Sequence, residues 1–141
     1  MLRKVMIGVN IALENIHSEA DIYVNEIPQN FKEPCFCLQV LNNDEKQRLG
    51  ENYLRTYNFC VQYHSENKDI FEIGEIAEKL NDSLECIKIG EDDYVRGVNR
   101  RYEVIEGVLF YFVTYKVHIR KTEIDDNIME NMTANIRTGG K

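Results

Sequence analysis

A chain of 141 residues with 43% apolar and 29% charged side chains has the size and mix of one soluble globular domain, not of a disordered chain. Its net charge of −7 argues against gripping nucleic acid through phosphate neutralisation, though not against surrounding it. No window approaches the roughly 18 consecutive apolar residues of a membrane-spanning helix.

The N-terminus "MLRKVMIGVNIALENIHSEA" has a basic start and an apolar stretch, as a signal peptide would. Asn10 and Glu14 break that stretch, and Leu2, Val5, Met6, Val9, Leu13 and Ile16 recur at helical spacing. The spacing predicts a helix over residues 2–18 of an intracellular protein, with one apolar stripe. The cysteines at 35, 37, 60 and 86 then read as reduced thiols.

"DIYVNEI" reads as a short strand and "PQNFKEP" as a loop, because each proline interrupts regular structure and biases its predecessor to extended geometry. "CFCLQVLNN" is a strand ending at Asn42 and Asn43, and the polar "DEKQRLGEN" an exposed loop or hairpin tip. In "YLRTYNFCVQYH", Tyr53, Tyr57, Phe59, Val61 and Tyr63 share one face of a third strand. Ile73, Ile76, Ala77, Leu80 and Leu84 form the stripe of a second helix, with Ser65 or Asn67 as its cap. "GEDDYVRGVN" reads as a loop. "RRYEVIEGVLFYFVTYKVHIR" reads as a hairpin turning near Glu106-Gly107, whose second strand places Leu109, Tyr111, Val113, Tyr115, Val117 and Ile119 on one face.

The predicted fold is α+β, a two-layer sandwich with a mostly antiparallel sheet and two helices packed on one face. Its order is α-β-β-β-α-β-β, with a short extra strand around Cys86–Ile89 as an optional addition. Residues 1–121 make the single domain. Residues 122–141 make a polar arm, in which Ile124, Ile128, Met132 and Ile136 stand four apart, as in a marginal amphipathic helix.

Chemistry is hard to find. Cys35 and Cys37 are two apart, so a strand turns them to one face while Phe36, Leu38 and Val40 fill the other. Zinc sites use wider pairs joined by a second pair, and the other cysteines lie far downstream. His17, His64 and His118 have no acidic partner at ligand-like spacing. Neither a nucleophile elbow nor a glycine-rich phosphate loop is present. Glu91, Asp92 and Asp93 lack the spread of a calcium loop. The residues therefore predict no catalytic group, no cofactor and no metal, and point to a structural or assembly protein.

The run from "DIYVNEIPQNFKEPCFCL" through "LGENYLRTYNFCVQYH", then "IFEIGEIAEKLNDSLE" and "YEVIEGVLFYFVTYKVHI", resembles the tail terminator family of long-tailed bacteriophages and of phage-tail-like particles of Gram-positive bacteria. The resemblance covers about residues 3–120. It implies a small α+β subunit that assembles into a ring, usually a hexamer, without enzymatic activity or cofactor. The ring would cap the head-proximal end of the tail tube, end its growth and join the neck. The implied partners are other copies of the chain, the tail tube protein with the sheath as a further candidate, and neck or connector proteins. DNA would only pass through, and no membrane is involved. The implied location is the bacterial host cytoplasm during assembly, then the virion or particle.

Ring contacts are expected at sheet edges and in the loops Asn42–Asn52 and Gly90–Asn99. There Lys46, Arg48, Asp92, Asp93 and Arg100 could pair with opposite charges on neighbouring subunits. Two other readings stay open: a head–tail connector of similar fold, and a metal- or small-molecule-binding domain using Cys35, Cys37 and the histidines.

Overall fold

The computed structural model describes residues 1–120. The expected arm over 122–141 lies outside them. The elements are α1 (Leu2–Ile16), β1 (Asp21–Val24), β2 (Cys35–Gln47), β3 (Asn52–His64), α2 (Ile70–Ser83), β4 (Cys86–Lys88), β5 (Tyr94–Ile105) and β6 (Val108–Arg120). The six strands form one sheet in the order β1-β2-β3-β6-β5-β4, so the fold is α+β. Two compact units are present: Met1–Asp44 with Thr56–Lys116, and Glu45–Arg55 with residues 117–120.

The first unit holds the core. Val5, Val9 and Leu13 on α1 and Ile73, Ile76, Ala77 and Leu80 on α2 are buried, as the helical spacing predicts. Tyr57, Phe59, Val61 and Tyr63 on β3 and Leu109, Tyr111, Val113 and Tyr115 on β6 are buried as well. Phe36 lies 5.0 Å from Tyr63, ring to ring, and Phe59 lies 6.0 Å from Tyr115. Tyr63 donates to Glu72 Oε2 at 2.5 Å and Tyr111 to Asn81 Oδ1 at 3.0 Å, so this aromatic face meets α2.

One optional expectation is met and three others change. The optional strand exists: β4 pairs with the first residues of β5, Ile87 opposite Val95. The region read as a loop up to Asn99 is strand from Tyr94 on, because Val95 is buried and Gly97 donates its N–H to Glu85 O at 2.7 Å. β2 runs on through Gln47 instead of stopping at Asn43. The cap of α2 is neither Ser65 nor Asn67 but Asp69, whose carboxylate accepts from Phe71 N–H at 3.0 Å. Ser65 instead donates to Glu72 Oε1 at 2.5 Å.

Strand directions follow from cross-strand bonds. Gln62 donates to Gln39 at 2.9 Å and Asn58 to Asn42 O at 2.9 Å, so β2 and β3 are antiparallel. Thr114 donates to Asn58 Oδ1 at 2.6 Å, and the Lys68 side chain lies against Gly107, so β3 and β6 are antiparallel too. β5 and β6 close through Glu106 (φ 51) and Gly107 (φ 78), the left-handed pair that a tight hairpin needs. β1 alone runs parallel, Asp21 opposite Cys35 and Val24 opposite Leu38. A parallel neighbour needs a crossover, and the proline-bounded segment after Val24 supplies it.

In the second unit the turn after Gln47 carries Gly50 at φ 66, and Arg48 N–H donates to Asn52 O at 2.7 Å. Arg55 pairs with Glu45 at 2.5 Å, and Leu49 is 87% exposed.

Candidate functional site

The cysteine question resolves by face. Phe36 points with Tyr63 toward α2, so Cys35 and Cys37 point the other way. On that face His64 meets the Phe31 ring at 5.0 Å, edge to face, and Lys68 pairs with Glu33 at 3.6 Å. The proline-bounded loop thus folds back over the side to which Cys35 and Cys37 point. Burial pushes the Cys35 thiol up to about 11, assisted by Glu33, and the Cys60 thiol up to about 11. Cys37 is raised by burial as well. Such thiols stay protonated and pack as small apolar groups. Among the described residues, no three His, Cys, Asp or Glu side chains converge as a metal cage would require.

His64 is half-buried, with Nε2 3.2 Å from Gln62 Oε1. Burial lowers its pKa below 6.5, opposed by Glu33 and assisted by Lys68. The folded state therefore holds a neutral imidazole while the unfolded chain takes up a proton near pH 6.5. This group's contribution is complete above that pH and is lost as pH falls through the depressed folded value. Urea unfolding at pH 7 and pH 5.5 should show a larger drop in midpoint for the native protein than for His64→Gln. Equal drops would rule out His64 as the source.

The five charged residues fall into different settings. Lys46, at the end of β2, and Arg48, in the turn after it, are exposed in the second unit. Asp92 and Asp93 are exposed in the connection between β4 and β5. Arg100 is not on a loop: it lies in β5 and is half-buried. Its Nη1 donates to Asn81 O at 2.7 Å, at the end of α2, and stands 3.9 Å from Glu85. The adjoining Asn99 has φ 54, and the β5–β6 register shifts between Val98 and Arg101. This bulge aims Arg100 at the helix.

Charge patterning missed the exposed apolar surface. α1 turns Ile7 and Ile11 outward over a groove of about 670 Å³ that also touches Ile87, Ile89 and Tyr94. Gly8 makes the approach of α1 to β4 feasible, because a Cβ there would stand 2.7 Å from Lys88 O. Ile70 and Phe71 are 66% and 79% exposed at the start of α2. Tyr102, Val104 and Ile105 are exposed along β5, and Val24 on β1. The one sequence signal for the β5 residues is that Tyr102 and Val104 alternate with charged neighbours.

A small α+β unit with exposed apolar residues on its edge strands and helix ends has the surface of an assembly component. The family model described as phage tail terminator protein matches residues 4–127. The chain belongs to that family and is a phage tail structural protein, which associates with other tail components. No curated protein matches it. A chain in a structure described as the virion of a native gene transfer agent particle superposes with a TM-score of 0.49 at 9% identity. The overlap covers 82% of this chain and 93% of that one. No described helix is long and apolar enough to cross a membrane.

Proposed function

We propose that the protein forms a closed ring, usually of six copies, on the head-proximal end of the tail tube. There it ends tube growth and presents a surface to the neck. It acts by binding alone, without catalysis. The observation that carries this reading is the family match over nearly the whole chain, residues 4–127. The net charge of −7 is compatible, since an acidic ring repels DNA phosphates and lets the duplex pass. Residues 1–121 act as the single assembling domain, in which the two helices form one layer against one face of the sheet. The Tyr63–Glu72 bond and the 6.3 Å approach of His17 to Tyr63 support that layering.

Lys46, Arg48, Asp92 and Asp93 supply opposite charges for subunit contacts. Arg100 also belongs to this set, but its internal bond to Asn81 makes its reversal ambiguous. Assembly takes place in the host cytoplasm, with the tube protein, neck proteins and, in a sheathed tail, the sheath as partners.

Deleting the gene and imaging the particles by electron microscopy tests this reading. Tails of unregulated length are expected. Complementation with the Lys46, Arg48, Asp92 and Asp93 charge reversals should leave length unregulated as well. Tails of normal length with unjoined heads would instead identify a connector and overturn the proposal.

A further inference from the structure

The sheet ends in two unequal edges. On one side β4 lies only along the first residues of β5, Cys86 opposite Arg96 to Lys88 opposite Tyr94. The rest of β5, through Ile105, has no strand beyond it among the described residues. This leaves a notch beside Arg101–Ile105, whose five residues are all exposed. On the other side β1 lies only along Cys35–Leu38, so it stands out as a tongue at the start of β2. Open edges are normally blunted by charge, proline or cover. Here they carry Tyr102 at 50%, Val104 at 39%, Ile105 at 49% and Val24 at 42% exposure.

The two features lie at the same end of the sheet. β2 begins where β3 finishes, as the Phe36–Tyr63 contact shows. β5 finishes beside the start of β6, which lies by Lys68, just past the end of β3. A second copy can therefore meet the first edge to edge with no shift along the strands. Its β1 would run antiparallel to β5, because β1 follows β2 while β5 runs with β3.

The side chains match by face. Tyr102 pairs with Tyr111 and Val104 with Leu109, so both lie on the face that meets α2. Ile22 pairs with Phe36 and Val24 with Leu38, on that same face. Joining tongue to notch puts Ile22 and Val24 beside Tyr102 and Val104. On the opposite face the same register sets Tyr23 beside Glu103.

We infer that β1 of one copy adds as a strand to the Arg101–Ile105 edge of the next, and that this head-to-tail joint builds the ring. The inference rests on the ring proposed above and names its joint. A heterologous contact of this kind builds a ring where its rotation closes.

Two exposed-edge variants test it. Val24→Lys disables the tongue and Tyr102→Lys the notch. Each alone should be monomeric by light scattering under conditions where the native protein forms rings. Mixed in equal amounts they should give dimers and nothing larger, since one sound tongue meets one sound notch. Hydrogen exchange on the native protein gives a reading free of variants: assembly should slow the amides of residues 101–105 at least tenfold. Rings that persist in both variants, or rings whose 101–105 amides stay fast, overturn the joint and leave the ring standing. Protection that appears only when tube protein is added would make the tube, not a second copy, the occupant. A native protein that stays monomeric with tails of regulated length would remove the ring itself.

Discussion

Tyr115→Ala should lower the unfolding free energy by about 3–5 kcal/mol, the usual loss for a fully buried aromatic ring. Tyr115 is 0% exposed and packs on Phe59 at 6.0 Å. Its hydroxyl donates to Leu84 O at 2.7 Å, where α2 ends. Burial pushes the hydroxyl's pKa upward, so it remains a donor across the accessible pH range. Tyr115→Phe keeps the ring and removes only that donor, leaving a carbonyl without it, for about 1–3 kcal/mol. Urea titrations with unchanged slope would measure both. A phenylalanine variant as stable as the native protein would show that the Leu84 carbonyl finds another partner.

Gly97→Ala is the second severe change. A Cβ at Gly97 would stand 2.5 Å from Leu84 O, 2.7 Å from Val113 Cγ2 and 3.1 Å from Tyr115 Cε1. Two of these are shorter than real contacts allow, and the nearest involves backbone. The carbonyl has little room to withdraw, since Tyr115 holds it and Gly97 N–H is bonded to Glu85 O. The expected loss is about 3 kcal/mol, the upper end for overpacking. Because both changes act on the Leu84 carbonyl, they should not add. In the Tyr115→Phe background the carbonyl is released, and Gly97→Ala should cost at least about 0.5 kcal/mol less. Strict additivity would mean that the clash is relieved elsewhere.

These two residues also show why parts of the fold were hidden in the sequence. The stripes of α1 and α2 and the alternation on β6 were legible because each is a local period of apolar residues facing one core. The first half of β5 was not, because its inward position between Val95 and the hairpin is a glycine, which leaves no apolar mark. The outer part of β2 is polar and exposed, so no burial period announced it as strand. The cap of α2 was misplaced because three capping-type residues stand close together, and only the geometry shows that Ser65 is occupied by Glu72.

The candidate site was legible only as charge. Asp92 and Asp93 proved exposed, while Arg100 proved tied to Asn81. The apolar edges escaped notice for a physical reason. Tyr102 and Val104 have the same alternation as core residues. Whether a strand is central or at an edge depends on spatial order, and β1 and β5 are distant in sequence.

The sheathing of the cysteine face has a practical side. Three of the four thiols are covered and kept protonated, and only Cys86 meets solvent. The unaltered chain thus carries a single chemical handle, at the mouth of the groove beside α1. A maleimide dye would mark each copy at one place, so counting bleaching steps on one particle would count the copies it holds.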